Sequence, residues 1–358
     1  MFLIALAGCD RSPSTSARVV RAPTKTVVQI KPITQLPPNR VVHVAVDLLG
    51  NVLYTYESDK GDDGAIIVGD DGVPRATQLT SANILAAMGE SFGGSGVIQD
   101  LVAAPDGSIL FYFIGGKGRN IRACLGRFLL RNQSIKVLFD TAQLKRITGM
   151  DSSIELARGS LMISDRRVSF FLRHIDAWGL FTFDSYKIVA GDESQLTRVF
   201  SKVIADGEEL NLSQPRYELA AGPLTDVLLL DHSSGTLWQV DSTGQATVRR
   251  ILTGLPRDLS LPLMVKPDYL VLFAADSDML DIDGVEILKR IMPKVNYPAL
   301  VQIKGKEMTE IGREDLRTTP GLPAFAMRIH QLVPHPKEGF VGYDPASGQL
   351  VQLKLVQE

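Results

Sequence analysis

The chain has 358 residues, 45% of them apolar, 22% charged and 7% aromatic, enough for one large domain or two ordinary ones around a substantial core. Its 38 Lys and Arg against 40 Asp and Glu leave a formal net charge of −2, which argues against a dominant basic surface and against nucleic acid as a partner. Two cysteines exclude a disulfide framework and a cysteine-rich zinc module, and 31 Gly with 19 Pro favour frequent chain reversals over long helices.

In chain order, the first feature is the apolar run from Met1 to Cys9, which ends in small residues and a cysteine. Leu6-Ala7-Gly8-Cys9 resembles the lipobox of bacterial lipoproteins. The resemblance implies that residues 1–8 are a signal peptide and that Cys9 becomes the acylated, palmitate-bearing first residue of the mature chain. It also implies a protein held at the cell membrane by lipid, facing the periplasm or the cell exterior. Asp10 resembles the retention signal that keeps some Gram-negative lipoproteins at the inner membrane. No Lys or Arg precedes Cys9, a departure from the positively charged start of export signals, and the alternative is a cytosolic protein with an apolar N-terminus. No other segment reaches the ~20 apolar residues of a spanning helix, so attachment is expected through lipid alone. With Cys9 acylated, Cys124 has no second cysteine with which to form an intrachain disulfide.

Residues 9–40 read as a tether. Residues 10–40 hold five prolines, a Ser/Thr-rich start, and six basic residues (Arg11, Arg18, Arg21, Lys25, Lys31, Arg40) against the single acidic Asp10. Such a segment stays extended, because it cannot bury enough surface to offset its ordering entropy. Its charge suits either a plain spacer or contact with an anionic membrane, at roughly 1 kcal/mol per basic residue close to the surface. Within it, Thr26-Val27-Val28-Gln29-Ile30 has the composition of a short strand.

From Val41 to Glu358 one pattern recurs: an apolar strand, a turn rich in Gly, Asp or Pro, and a second apolar strand. The pairs are 42–46 with 52–56, 101–104 with 109–113, 161–163 with 168–172, 219–221 with 227–230, 263–265 with 269–273, and 331–333 with 339–343. Turn centres near 49, 106, 166, 224, 267 and 337 are spaced by roughly 40 to 70 residues, the range of propeller blades. The runs are apolar on both faces, as strands sandwiched between neighbouring blades must be. Further strands follow at 235–240 and 246–248, while 81–88 and 140–148 read as partly helical connections. The expected fold is all-β: a propeller of six blades of four antiparallel strands, with seven blades the alternative. The last module ends at its third strand, 348–355, so the spare strand Val27–Ile30 is expected to pair with Leu350–Leu355 and close the ring. Ala104-Pro105-Asp106-Gly107 ahead of a strand, and Ser234-Gly235-Thr236-Leu237-Trp238-Gln239-Val240-Asp241, resemble the modules of the TolB-like and NHL-like six-bladed propellers. These motifs mark turns and imply architecture, not substrate.

Candidate chemistry is sparse. His43 and His330 fall near the starts of the innermost strands of modules one and six, where inner strands line a central channel. Neutral imidazoles ligate zinc, but a catalytic site needs a third protein ligand, and His174, His232 and His335 are all placed at strand ends or in turns; structural hydrogen bonding is the competing role. Asp276, Asp278, Asp281 and Asp283, ahead of Gly284, suit calcium in part, but Met279 and Arg290 stand where an EF-hand requires ligands. The competing role is a solvated acidic loop capping a helix over 285–291. Gly115–Gly118 reads as a hairpin turn and Gly93–Gly96 as a loop, neither having phosphate-loop spacing. Asp231-His232-Ser233 cannot converge as a triad from adjacent strand positions.

Two functions remain. One is a lipid-anchored monomeric propeller that binds an envelope protein or a small ligand through loops such as 58–64, 115–120 and 276–284. The other is a hydrolase or lyase with a divalent metal in its central channel, zinc on His43, His330 and further carboxylates being the candidate there, and calcium the candidate at the loop 276–284.

Overall fold

The computed structural model describes residues 26–36, 40–57, 63–89, 94–117, 120–148, 155–156, 161–164, 166–173, 178–214, 216–221, 226–231, 233–234, 236–251, 259–266, 269–274, 299–304, 307–311, 330–337, 339–344 and 347–357. Cys9, the expected lipidation site, and the acidic residues Asp276, Asp278, Asp281 and Asp283 lie outside them, as do His174 and His232.

The chain opens with β1 (Thr26–Gln35). Blade I is β2 (Arg40–Val46), β3 (Val52–Glu57), β4 (Asp63–Val68) and β5 (Pro74–Thr80), and helix α1 (Ser81–Ala87) follows it. Blade II is β6 (Ser95–Ala103), β7 (Ser108–Lys117), β8 (Asn120–Leu129) and β9 (Ser134–Asp140), followed by α2 (Thr141–Thr148). Blade III holds β10 (Glu155–Leu156), β11 (Met162–Ser164), β12 (Arg167–Arg173), β13 (Trp178–Asp184) and β14 (Thr197–Phe200). After β15 (Val203–Ala205) and β16 (Glu208–Leu210), blade IV is β17 (Tyr217–Ala221), β18 (Val227–Asp231), β19 (Thr236–Val240) and β20 (Gln245–Ile251). Blade V is β21 (Leu259–Lys266), β22 (Tyr269–Ala274), β23 (Ala299–Lys304) and β24 (Glu307–Ile311); blade VI is β25 (His330–Pro334), β26 (Phe340–Asp344) and β27 (Gln349–Gln357). Among the described residues these make six sheets, which settles the choice between six blades and seven.

The sixth sheet has the order β1-β27-β26-β25, so its outermost strand comes from the other end of the chain. Val28 pairs with Leu355 and Ile30 with Leu353, the closure expected from the sequence. The strand is longer than expected, running on to Gln35 past a bulge at Ile33. This arrangement leaves β27 no free edge. The innermost strands complete the ring: β2 lies beside both β6 and β25, β11 beside β17, and β21 beside β17 and β25.

Between blades the core follows the two-residue period of a strand. On β7, Leu110 and Tyr112 pack toward blade III with Phe170 and Phe183, while Ile109, Phe111 and Phe113 pack toward blade I with Leu53 and Leu79. On β3, Leu53 faces blade II, while Val52 and Tyr54 face blade VI with Val341 and Tyr343. Each fully buried large side chain contributes about 1.5–3 kcal/mol, and both faces of the second strands β3, β7, β12 and β18 are spent this way. The expected glycine loops are corrected here. Ser95 and Gly96 belong to β6, and Gly115–Lys117 to β7, with Gly96 paired to Gly115. A Cβ on Gly96 would lie 2.2 Å from Phe113 Cζ, so these glycines make room for an aromatic ring lying across them.

The strand order gives the ring two faces. Turns joining first to second and third to fourth strands share one face, the turn face. Second-to-third turns and the blade-to-blade passages, with α1 and α2 among them, share the other, the crossover face. Neighbouring blades are tied across the turn face: His335 of blade VI packs on Gly50 of blade I, Lys337 pairs with Asp70 at 3.3 Å, and Arg127 donates to the Ser185 carbonyl.

Candidate functional site

The inner strands are not regular ladders. β2 is bulged against β3 between Val41 and His43, and β6 against β7 between Ile98 and Asp100. The bulge residues Val42 and Gln99 each stand four residues before the end of their strand (46 − 42 and 103 − 99), so His43 and Asp100 occupy equivalent places in successive blades. A bulge re-aims the side chain that follows it, and here it does so where inner strands face one another.

His43 is half-buried and its backbone N–H donates to Thr55 Oγ1 at 3.1 Å. Asp100 is 7% exposed and accepts the backbone N–H of Leu161 at 3.0 Å, so a carboxylate of blade II caps the chain as it enters blade III. The sequence reading passed over Asp100. Its signal was a charge set in the apolar run Ile98-Gln99-Asp100-Leu101: a buried carboxylate is stable only with a hydrogen-bonding partner.

At the seam of blades I and II a small recess of about 20 Å³ lies among Thr55, Tyr56, Asp63, Gly64, Gly96 and Val97. Its polar wall is held by Ser81 at the start of α1, whose hydroxyl donates to the Gly96 carbonyl at 2.9 Å and to the Asp63 carboxylate. It lies toward the crossover face, with Thr55 of its wall paired to His43, and binding groups are usually carried at such connecting segments. A second recess of about 40 Å³, between blades III and IV, sits at the turn face. Its rim includes Arg167, Ser169, Thr182, Asp226 and Ser242, with Asp226 already bonded to Gln239 within its own blade.

At the seam of blades VI and I, Tyr54 is almost fully buried and its hydroxyl has no hydrogen-bond partner among the described residues. Burial, and then the nearby Tyr56 and Tyr343, push this phenol up to about 12. Cys124 is fully buried in β8, and burial followed by the charge of Asp140 pushes its thiol up to about 12, so it is an inert core residue.

The expected histidine pair is carried by neighbouring inner strands: His43 by β2, and His330 as the first residue of β25, paired with Tyr343. Among the described residues no three His, Cys, Asp or Glu side chains gather as a metal site. His335 is in a turn, as expected, against Gly50. Asp231 ends β18, and its carboxylate accepts the N–H and hydroxyl of Ser233 in the turn that follows. Of the loops expected to bind, 58–62 and 118–119 fall outside the described residues, and Asp63 and Gly64 belong to β4 and the recess. No helix among the described residues is long and apolar enough to cross a membrane.

No protein-family model matches the chain, and no curated protein is detectably similar to it in sequence. Among solved structures it is similar to the β-propeller domain of the Trilobed protease from Pyrococcus furiosus, at 10% identity and TM-score 0.43, over 85% of this chain and 78% of that one. It is similar to an inactive virginiamycin B lyase from Staphylococcus aureus with quinupristin, at 11% identity and TM-score 0.46, over 92% of this chain and all of that one. TolB from Acinetobacter baumannii follows at 11% identity and TM-score 0.42, over 89% of this chain and 64% of that one. The chain is a six-bladed β-propeller by its own strand order, and nothing is carried over to its residues from proteins this distant.

Proposed function

We propose that the protein is a lipid-anchored, extracytoplasmic propeller of the bacterial cell envelope that binds an envelope protein or a small ligand on its crossover face. The observation that supports this most is where the chain enters the ring. Leu353 of β27 pairs with both Phe340, beside the 335–339 turn, and Ile30 of β1; Thr26–Gln29 therefore lies beyond the level of that turn. A tether reaching Thr26 arrives at the turn face and leaves the crossover face, with the recess between blades I and II, turned away from the membrane.

A photo-crosslinking residue at the exposed Ser95, on the crossover face, is expected to capture a discrete envelope partner, while one at Asp71 on the turn face is not. Equal capture from both positions, or capture from Asp71 alone, overturns the reading. The anchor is tested separately, since Cys9→Ser is expected to abolish palmitate incorporation and release the chain from membranes. A soluble wild-type chain overturns that part.

The placement of His43 and His330 on adjacent strands supports a second reading, a hydrolase or lyase with a channel metal. Elemental analysis of chain purified without chelator or affinity metal decides it. Near-stoichiometric zinc, lost in His43→Ala or His330→Ala, replaces the binding module by the enzyme; its absence removes the enzyme. Calcium lost in Asp281→Asn or Asp283→Asn instead marks a structural loop.

A further inference from the structure

Six large apolar side chains are conspicuously exposed among the described residues: Leu48 (60%), Leu49 (72%), Val73 (51%), Ile121 (66%), Tyr186 (51%) and Val189 (52%). Five of them belong to connections of the turn face, although Val189 lies farther along the β13–β14 connection, where the chain bonds back to β9 and α2 through Gly191. Leu48 and Leu49 form the tip of the β2–β3 turn, Val73 lies in the β4–β5 turn of the same blade, and Tyr186 begins the connection after β13. Ile121 lies at the crossover end of blade II.

The Leu48-Leu49 tip is held rigidly outward. Asp47 is buried, and its carboxylate accepts the N–H of Leu49 at 2.9 Å, the N–H of Asn51 at 2.8 Å and the side-chain amide of Asn51 at 2.7 Å. Gly50 turns the chain at φ +93, with His335 of blade VI packed against it. The corresponding turn in blade II is Pro105-Asp106-Gly107, and that of blade VI is His335-Pro336-Lys337-Glu338. Two adjacent leucines presented to water on a turn held by Asp47 form an apolar projection suited to a nonaqueous neighbour. At Tyr186 the guanidinium of Arg166 lies 5.5 Å from the ring centroid, and the exposed Lys187 pairs at 4.0 Å with Asp184, which also accepts the Tyr186 N–H, an aromatic flanked by charge as aromatics at the headgroup level of membranes are.

What covers this face is indicated by the chain that leads to it. Residues 10–25 carry Arg11, Arg18, Arg21 and Lys25 against Asp10 alone, and end where β1 begins, beyond the turn face in blade VI and next to the Leu48-Leu49 blade. A coil of that length spans roughly 20 Å, so an acylated Cys9 holds the turn face close to the bilayer. We propose that the turn face docks onto an anionic lipid bilayer, with Leu48, Leu49, Val73 and Tyr186 entering the interface; the proposal deepens the anchored reading above and takes the tether's direction from it. Anchor and face then supply the two signals that stable attachment requires, and they orient the ring with its crossover face outward.

The test uses the full chain carrying Cys9→Ser, so that no lipid is attached. Nitrobenzoxadiazole is placed at Leu49→Cys or at Ile121→Cys; the fully buried Cys124 does not compete for the label. With vesicles of phosphatidylglycerol and phosphatidylethanolamine, fluorescence at position 49 is expected to rise about twofold or more while that at 121 stays constant. Leu48→Asp with Leu49→Asp is expected to lower the vesicle-bound to free ratio about tenfold, and Ile121→Asp to leave it unchanged. Equal responses at both positions, no response at 49, or binding indifferent to the paired aspartates overturns docking. So does shielding of position 49 in native membranes but not by vesicles, which assigns the face to a protein. The anchor is read independently by palmitate incorporation into wild type: a lipidated chain whose position 49 ignores vesicles refutes docking alone, and a responsive chain that takes no palmitate refutes the anchor alone.

Discussion

Tyr54 carries a hydroxyl into the seam of blades VI and I and leaves it without a partner among the described residues, at 1% exposure. An unmade hydrogen bond of this kind costs about 1–3 kcal/mol. Tyr54→Phe keeps the ring packing and removes the liability, so it is expected to unfold at the same or a higher urea midpoint than wild type; a loss beyond about 1 kcal/mol would show that the hydroxyl is bonded after all. Asp100 is the opposite case. Its carboxylate satisfies the Leu161 N–H across two blades, and Asp100→Ala leaves that donor buried and unpaired. The expected cost is about 1–3 kcal/mol, with Asp100→Asn recovering part of it because an amide oxygen still accepts. If the two variants prove equally unstable, the charge and not the capping bond is what blade III requires.

At the scale of elements the recurring device is the short turn closed by an aspartate on its own backbone. Asp241 accepts the Thr243 hydroxyl at 2.6 Å, the Thr243 N–H at 2.8 Å and the Gln245 N–H at 3.1 Å, and the Thr243 bonds foremost hold its carboxyl below the usual range. A lowered native pKa contributes stability that is present above the unfolded value near 3.9 and lost as pH falls through the native one. Asp241→Asn is therefore expected to destabilise at pH 7 by more than it does near pH 3; a difference that does not shrink on acidification would assign the loss to geometry. Closure of the ring is the other element-scale device. Deleting residues 1–25 is expected to leave the unfolding temperature unchanged, while deleting 1–35 removes β1, frees the edge of β27 and lowers it on the order of 5–10 °C with a tendency to aggregate. An intact melting curve after the longer deletion would mean that blade VI stands on three strands.

Across the whole molecule, what could be read in advance was what repeats. All six inner hairpins, the closing strand and both short helices follow from apolar runs punctuated by Gly, Asp and Pro, because a strand buried on both faces has no freedom to look otherwise. What escaped is local and polar. The β15–β16 hairpin, turned by Asp206-Gly207 and added parallel to β20, has only the short apolar run Val203-Ile204-Ala205 ahead of the charged Asp206 to Glu209 and falls outside the repeating pattern. The bulges that make His43 and Asp100 equivalent, and the Leu48-Leu49 tip, are visible only once strands are in register. Register also decides the orientation of the ring, and this admits a test by rearrangement. Thr26 pairs directly with Gln357, so a short turn can join them and the chain can begin instead at Leu36. That permutant, residues 36–357 followed by the turn and 26–35, is expected to melt within a few degrees of wild type, since every strand keeps its neighbours; failure to fold would contradict the closure. Its new start, however, lies at the crossover face, because Leu36 follows the end of β1 and bonds to Gly348 in the β26–β27 turn. Placing residues 1–25 ahead of Leu36 then hangs the same propeller by the opposite face. The chain is expected to reach the membrane and fold, yet to lose both the bilayer response at position 49 and partner capture at Ser95. Retention of either would show that the face from which the tether leaves does not orient the protein.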